Sequence, residues 1–248
     1  MIASPVIAHR GSSLLAPENT LGAMTKTRDI GTTWVEIDIN RLGDGTLVMF
    51  HDDQLGRLTS NSGRLADKGW KDVSKLDIGS HFSPDYHTER MATISQTLDH
   101  IQSLGLGLNL EIKVYPAFTP EQIVFDTIKA LDAQWHDFSK LLISSFNTEV
   151  LHLLRHWRPE WQCGHLWENI PDNWPALAEE LNLVSVHCDY HFLTAQQAHR
   201  IKSERLDLYC YTVNDYTSAD TLWTMGVDGI ITDNPLLFDK HEQVNKPR

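Results

Sequence analysis

From residue 93 to residue 234 the chain alternates between two apolar patterns, and that alternation constrains its fold more than any other feature. Residues 94–104 have helical spacing. Residues 108–112 alternate with period two, placing Leu108, Leu110 and Ile112 on one face and Asn109, Glu111 and Lys113 on the other. Helices are then predicted over 121–131, 148–157, 174–181, 195–202 and 216–225. Strands are predicted over 141–146, 162–167, 183–187, 208–213 and 229–232. Upstream, residues 5–8 form a short strand that runs into His9-Arg10-Gly11, and residues 12–17 read as a loop. Asn19 or Thr20 caps a helix that reaches Ile30 and is closed by Gly31.

Residues 34–51 supply the second step. Val35, Ile37 and Ile39 alternate with Glu36, Asp38 and Asn40, a strand with one apolar and one acidic face. Asp44-Gly45 predicts a hairpin turn, and the returning run Leu47 to Phe50 brings His51-Asp52 back toward the carboxylates. Counting the hairpin as one strand with an extension gives eight βα steps, which predict a parallel sheet closed as a (β/α)8 barrel. An open doubly wound sheet is the alternative, but no Gly-x-Gly-x-x-Gly follows the first strand. Residues 52–92 are polar with scattered hydrophobics and no sustained period. A segment of that length inside a domain reads as an ordered cap, with Trp70, Phe82 and Tyr86 as candidates for shaping a substrate pocket. The 248 residues suit one barrel domain, 1–248, with 52–92 inserted within it.

Composition narrows the partners. A formal net charge of -12 disfavours nucleic acid or an anionic membrane surface. No run of eighteen apolar residues predicts a membrane span, and no leader is visible before the first strand. Cys163, Cys188 and Cys210 each fall in a predicted strand without metal-ligand spacing. They read as reduced, buried thiols of a cytoplasmic protein.

In an α/β barrel the polar residues at the C-terminal strand ends meet at one mouth. Here those ends carry His9 and Arg10, Glu36 and Asp38, Glu111 and Lys113, then Ser145, His187, Tyr211 and Asp233. Glu36 and Asp38 lie about 7 Å apart along one strand face, a separation that allows them to share a cation. An all-oxygen set of Glu36, Asp38 and Glu111 suits a hard divalent ion such as Mg²⁺, Ca²⁺ or Mn²⁺. Neutralisation of the acids by Arg10 and Lys113 is the other arrangement the same residues allow. His9 and His51 fit a general acid and general base pair. Arg10 and Lys113 beside a metal would clamp a phosphate, with Gly11 adding backbone donors. His187 is expected to line or orient, and Tyr211 to touch substrate. Together these groups predict phosphoester hydrolysis. His152, His156 and His199 fall on helices and read as surface residues.

His9-Arg10-Gly11 with Pro17-Glu18-Asn19-Thr20 resembles the opening motif of the glycerophosphodiester phosphodiesterases. So do Glu36-x-Asp38, His51-Asp52, Leu110 to Lys113, Ser144-Ser145-Phe146, Tyr211 to Asn214 and Gly226 to Asp233. The ordered set spans residues 6–235 and is most similar to the bacterial cytoplasmic type, which it matches in having Tyr211 where many relatives have Trp. The resemblance implies a TIM barrel with a small insertion after the second strand, matching 52–92. It implies metal ligands at Glu36, Asp38 and Glu111, catalytic histidines at His9 and His51, and phosphate contacts from Arg10 and Lys113. It also implies cleavage of deacylated phospholipids to glycerol 3-phosphate and an alcohol, with His51 assigned as base and His9 as acid. Met91-Ala92-Thr93-Ile94 departs from the family, where a proline usually precedes the helix. A related barrel phospholipase would need an apolar entrance, and a non-catalytic phosphoester-binding barrel would have lost a ligand or a histidine. A metal amidohydrolase would want His-x-His on the first strand.

Overall fold

The computed structural model describes residues 2–238; Met1 and residues 239–248, which the single-domain expectation includes, lie outside the described residues. In chain order the elements are β1 (Val6–His9), α1 (Leu21–Asp29), β2 (Trp34–Arg41), β3 (Leu47–Met49), the one-turn α2 (Trp70–Val73), α3 (Ile94–Leu104) and β4 (Gly107–Ile112). There follow α4 (Pro120–Gln134), β5 (Leu141–Ser145), α5 (Thr148–Trp157), β6 (Cys163–Trp167), α6 (Trp174–Glu180), β7 (Ser185–Asp189), α7 (Ala195–Ser203), β8 (Asp207–Tyr211), α8 (Tyr216–Thr224) and β9 (Gly229–Thr232). Eight parallel strands close into a barrel in the order β1-β9-β8-β7-β6-β5-β4-β2, with β1 pairing back to β2. The ninth strand, β3, runs antiparallel on β2 as the hairpin arm, pairing Ile39 with Met49 and Arg41 with Leu47.

The alternation seen in the sequence sorts residues to the two sides of the barrel wall. Val35, Ile37 and Ile39 on β2, and Leu108, Leu110 and Ile112 on β4, face the helices and are all buried in the main core with Leu98 and Ile101 of α3. The opposite parity faces inward, where character changes with depth. Ile7, Trp34, Leu142, Tyr209 and Ile231 pack together as an apolar plug. Polar residues follow further along the same strands, as in the steps from Trp34 to Glu36 and from Leu142 to Ser144. A barrel interior of this size is filled by side chains, so only the last layer is free to form a cleft.

Helix ends are set by local chemistry. Thr20 caps α1 by accepting from Ala23 N–H at 3.1 Å while donating to the Pro17 carbonyl at 2.7 Å. Thr93 and Gln96 form a reciprocal capping box at α3, so that helix starts without the proline usual in relatives. Two strands differ from expectation by two residues: β8 ends at Tyr211 rather than 213, and β7 lies two residues later than the predicted 183–187. Asn182 turns the chain at φ 45°, and Leu183 is spent on the turn. Residues 52–92 form an ordered lobe with its own apolar cluster of Leu55, Leu58, Leu65, Val73, Ile78 and Met91, packed against Val48 and Phe50 of the hairpin arm. No helix among the described residues is long and apolar enough to cross a membrane.

Two histidines sit in the wall and interior of the barrel. Burial pushes His187 down to about 3, with His165 adding to the effect, and pushes His165 itself down to about 4. Both are neutral in the folded chain near pH 7, whereas in the unfolded chain they protonate near pH 6.5. Below that pH the unfolded state binds protons that the folded state does not, so stability falls as the pH drops from about 6.5 toward 4. Each histidine contributes a slope of about 1.4 kcal/mol per pH unit. Urea unfolding between pH 7.5 and 4.5 is expected to show a shallower loss in His187→Gln than in the native chain. Equal slopes would mean that His187 is not held neutral.

Candidate active site

The chain doubles back at β1. Arg10 (φ 49°), Gly11 (φ 79°), Ser12 (φ 68°) and Asn19 (φ 57°) all occupy the left-handed region, a conformation that side-chain-bearing residues rarely adopt. This tight loop turns the Arg10 backbone N–H onto Glu36 Oε2 at 3.2 Å and lets Asn19 grip Asp38. Asn19 donates to Asp38 Oδ2 at 2.8 Å and accepts from the Asp38 backbone N–H at 3.1 Å. Gly11 is needed for space as well as for its φ: a Cβ there would lie 2.7 Å from Ala23 Cβ on α1.

Glu36, Asp38 and Glu111 are all buried, and one oxygen from each lies within 4.8 Å of the others. Lys113 Nζ reaches Asp38 Oδ1 at 3.2 Å and also touches Glu111 Oε1. Arg10 Nε lies 3.3 Å from Asp38 Oδ2. Burial alone would raise Asp38, but Lys113 and Arg10 outweigh it and hold the carboxyl below the usual carboxylate range. Burial and the neighbouring Asp38 and Glu111 charges push Glu36 well above its ordinary value. Burial likewise pushes Glu111 up to about 7 against the pull of Lys113. Of the two arrangements open in the sequence, ion pairing is therefore present but incomplete. Two cations face three carboxylates, and Glu36 Oε1 is buried without a hydrogen-bond partner. A buried, oxygen-only donor set short of positive charge fits a hard divalent cation.

The histidines stand beside this cluster, each held by an aspartate. His9 Nδ1 is 2.6 Å from Asp233 Oδ1, and its Nε2 is 3.8 Å from Glu36 Oε2. Asp233 also accepts from Ser13 and from Asn214 Nδ2; its own burial is outweighed by the His9 hydrogen bond, which holds its carboxyl below the usual range. His51 Nδ1 is 2.7 Å from Asp52 Oδ1, and the Tyr115 hydroxyl donates to the His51 carbonyl. Burial lowers His51 from its ordinary value, partly offset by Asp38.

These groups open on one cleft of about 220 Å³, lined by His9, Arg10, Glu36, His51, Glu111 and Lys113 together with Asn109, Ser144, Phe146 and Tyr211. Asp38 lies beneath them, 1% exposed. The Tyr211 hydroxyl donates to the Trp167 carbonyl at 2.9 Å, so the ring rather than the hydroxyl faces the cleft, edge-on to Phe146.

Three expectations are corrected. His187 does not reach the mouth. Its parity is inward, but it sits mid-strand on β7, completely buried, with Nε2 on Ser185 Oγ at 2.9 Å and its ring against Tyr209. Ser145 also has the wrong parity: its hydroxyl donates to the Ile112 carbonyl and accepts from Asn147 N–H, while Ser144 and Phe146 face the cleft. Trp70, Phe82 and Tyr86 of the inserted lobe do not line the cleft. Trp70 packs on the lobe's own cluster, and Tyr86 meets Phe82 edge-to-face and donates its hydroxyl to the Leu15 carbonyl. The cysteines are free and buried, as expected.

A closed α/β barrel whose mouth gathers carboxylates, cations and paired histidines is an arrangement used by enzymes. A model of the glycerophosphoryl diester phosphodiesterase family matches residues 9–237. The glycerophosphodiester phosphodiesterase of Caldanaerobacter subterraneus subsp. tengcongensis is 30% identical over 235 residues, covering 93% of this chain and 94% of its own. That of Bacillus subtilis is 28% identical over 251 residues, covering 94% and 85%. Among solved structures, an Oleispira antarctica phosphodiesterase in complex with its product sn-glycerol 3-phosphate superposes with a TM-score of 0.92 at 34% identity, over 96% of each chain. The chain belongs to the glycerophosphoryl diester phosphodiesterase family of enzymes.

Gly11→Ala tests how the loop builds this cleft. The new methyl meets Ala23 on a helix that cannot give way locally, at a φ that favours glycine. The expected cost is about 1–3 kcal/mol of stability in urea unfolding. A loss of turnover larger than that seen in an equally destabilised core variant should accompany it, because Arg10 is displaced. Unchanged stability would show that the loop has room to relax.

Proposed function

We propose that this protein hydrolyses glycerophosphodiesters, the deacylated phospholipids, to sn-glycerol 3-phosphate and an alcohol, using a divalent metal and two histidines. The observation that carries the reading is the placement of His9 and His51 in one cleft with the charge-deficient triad of Glu36, Asp38 and Glu111. The product held by the Oleispira antarctica relative supports the choice of substrate class.

Glu36, Asp38 and Glu111 are the residues that would hold the ion. A divalent cation there supplies charge neutralisation for the phosphoryl oxygens, in the manner of a Lewis acid. Arg10 and Lys113 face the same space and clamp the phosphate, their charges balanced by the carboxylates behind them. Asp52 accepts the Nδ1–H of His51, leaving the Nε2 lone pair to receive a proton from the attacking hydroxyl, whether water or the neighbouring glycerol oxygen. The lowered His51 pKa keeps that ring neutral at pH 7 and suits it to act as base. Asp233 accepts the Nδ1–H of His9 and supports its imidazolium form, which gives the Nε2 proton to the leaving alkoxide. The Phe146 and Tyr211 rings form an apolar wall against the carbon skeleton of the substrate.

Release of glycerol 3-phosphate from glycerophosphocholine is expected to stop with EDTA and to return with Mg²⁺, Mn²⁺ or Ca²⁺. The same ions should raise the melting temperature of the native chain but not of Glu36→Gln, because binding to the folded state alone stabilises it. No release from several glycerophosphodiesters with any of these metals would sink the reading.

His9→Ala and His51→Ala should each lower turnover by about two to four orders of magnitude with the metal-induced thermal shift retained. A loss under tenfold in either variant would remove that histidine from acid–base chemistry.

A further inference from the structure

The inserted lobe sends no side chain into the cleft, yet one of its residues holds the two carboxylates that stand behind His51 and Arg10 on the cleft wall. Arg57 ends the short turn Leu55–Arg57. Leu55 and Leu58 on either side of it are buried in the lobe's apolar cluster, and Leu55 N–H bonds the Gly63 carbonyl, so the position of the turn is set by the lobe's own packing. The guanidinium uses three nitrogens in two directions. Arg57 Nε donates to Asp52 Oδ2 at 2.6 Å, and Nη1 and Nη2 donate to the two oxygens of Glu18 at 2.7 Å each. Each carboxylate has a second task. Asp52 holds His51 through its other oxygen, and Glu18 holds Arg10 Nη1 at 2.9 Å.

We propose that Arg57 is a positioning residue: one planar guanidinium, carried by the inserted lobe, fixes the His51 ring through Asp52 and the Arg10 side chain through Glu18. The geometry needs an arginine. A fork with several fixed donors can hold two carboxylates at a set angle, whereas an ammonium is a point charge that can favour either one. Half-exposed ion pairs add little to stability, so the value of this one lies in the registry it imposes on the two groups beyond it. It also gives the lobe a role that its aromatic residues do not have. The lobe delivers order to the mouth from behind, without contacting substrate.

The kinetic half of the test rests on the phosphodiesterase reading above; the spectroscopic half does not. Arg57→Ala is compared with the native chain, with Arg57→Lys, and with Arg64→Ala, which breaks an exposed ion pair to Asp67 in the same lobe. Loss of positioning without loss of a reacting group is expected to lower kcat on glycerophosphocholine by about ten- to a hundredfold. KM should change less, Arg57→Lys should recover only part of the loss, and Arg64→Ala should behave as the native chain. Proton–nitrogen correlation spectra of the histidine rings should show His51 held as the Nδ1–H tautomer in the native chain and as a mixture in Arg57→Ala. A kcat loss below fivefold, a loss carried by KM alone, or an unchanged His51 ring would overturn the proposal. Should the native chain hydrolyse no glycerophosphodiester, the ring spectrum alone decides. Should the alanine variant not fold, Arg57→Gln carries the same comparison.

Discussion

Three carboxylates buried at the end of a barrel dominate the energetics of this molecule. Burying one unpaired carboxylate costs several kcal/mol, and three within 4.8 Å of one another also repel. The surrounding structure answers that cost piece by piece. Lys113 spans Asp38 and Glu111, Arg10 lies along Asp38, Asn19 satisfies both the side chain and the backbone of Asp38, and the Arg10 N–H meets Glu36. The left-handed loop after β1 follows from the same need, because only a tight turn brings Arg10 and Asn19 onto the two acids together. What remains uncompensated is local to Glu36, which unlike Asp38 and Glu111 has no ion pair to Lys113 or Arg10 and keeps a buried Oε1 without a hydrogen-bond partner. The tightest part of the structure therefore leaves one deficit of positive charge, and it lies on the wall of the cleft.

Much of this was legible in the sequence, because the barrel translates two periodicities directly into position. Helices α3 and α5 and strand β9 fall where the apolar spacing places them, and the alternation on β2 and β4 assigns core and interior without error. The chemistry was legible for the same reason. Strands β2 and β4 pair in register with Asp38 opposite Glu111, so two inward acids on neighbouring strands must meet. Parity fails where depth matters. His187 and Glu36 both point inward, but His187 lies lower in the barrel, where Ser185 and Tyr209 close over it. Ser145 fails differently: the strand ends at that residue, and its hydroxyl is drawn into capping the turn that leads to α5.

The contacts that orient the histidines are the part that no local pattern reveals. Asp233 is 224 residues from His9, and its role exists only because β9 closes the barrel beside β1. Asp52 is the opposite case. It is adjacent to His51, and a carboxylate next to a histidine becomes informative only once the hairpin arm is known to turn both toward the mouth. Phe146 follows a serine pair in which Ser144, not Ser145, points inward, so the aromatic wall of the cleft comes from a strand end rather than from the inserted lobe.

Arg57 shows why an insertion can matter without touching the chemistry. A barrel supplies rigid strand ends, but His51 lies beyond β3, on an arm paired to only one strand. The arm's other edge meets the segment entering α3, where Met49 N–H bonds the Ala92 carbonyl and Val48 bridges Thr93, but His51 itself lies past these contacts and takes its support from elsewhere. The lobe has an apolar cluster of its own and therefore a fixed shape, and Arg57 transmits that shape to Asp52 and Glu18. The Tyr115 hydroxyl on the His51 carbonyl pins the same arm from the β4 side. Held from both flanks, the arm presents His51 opposite His9, which is fixed by the barrel itself through Asp233. The two histidines thus owe their alignment to different sources. One is set by the closure of the sheet, and the other by a lobe that the sheet does not contain.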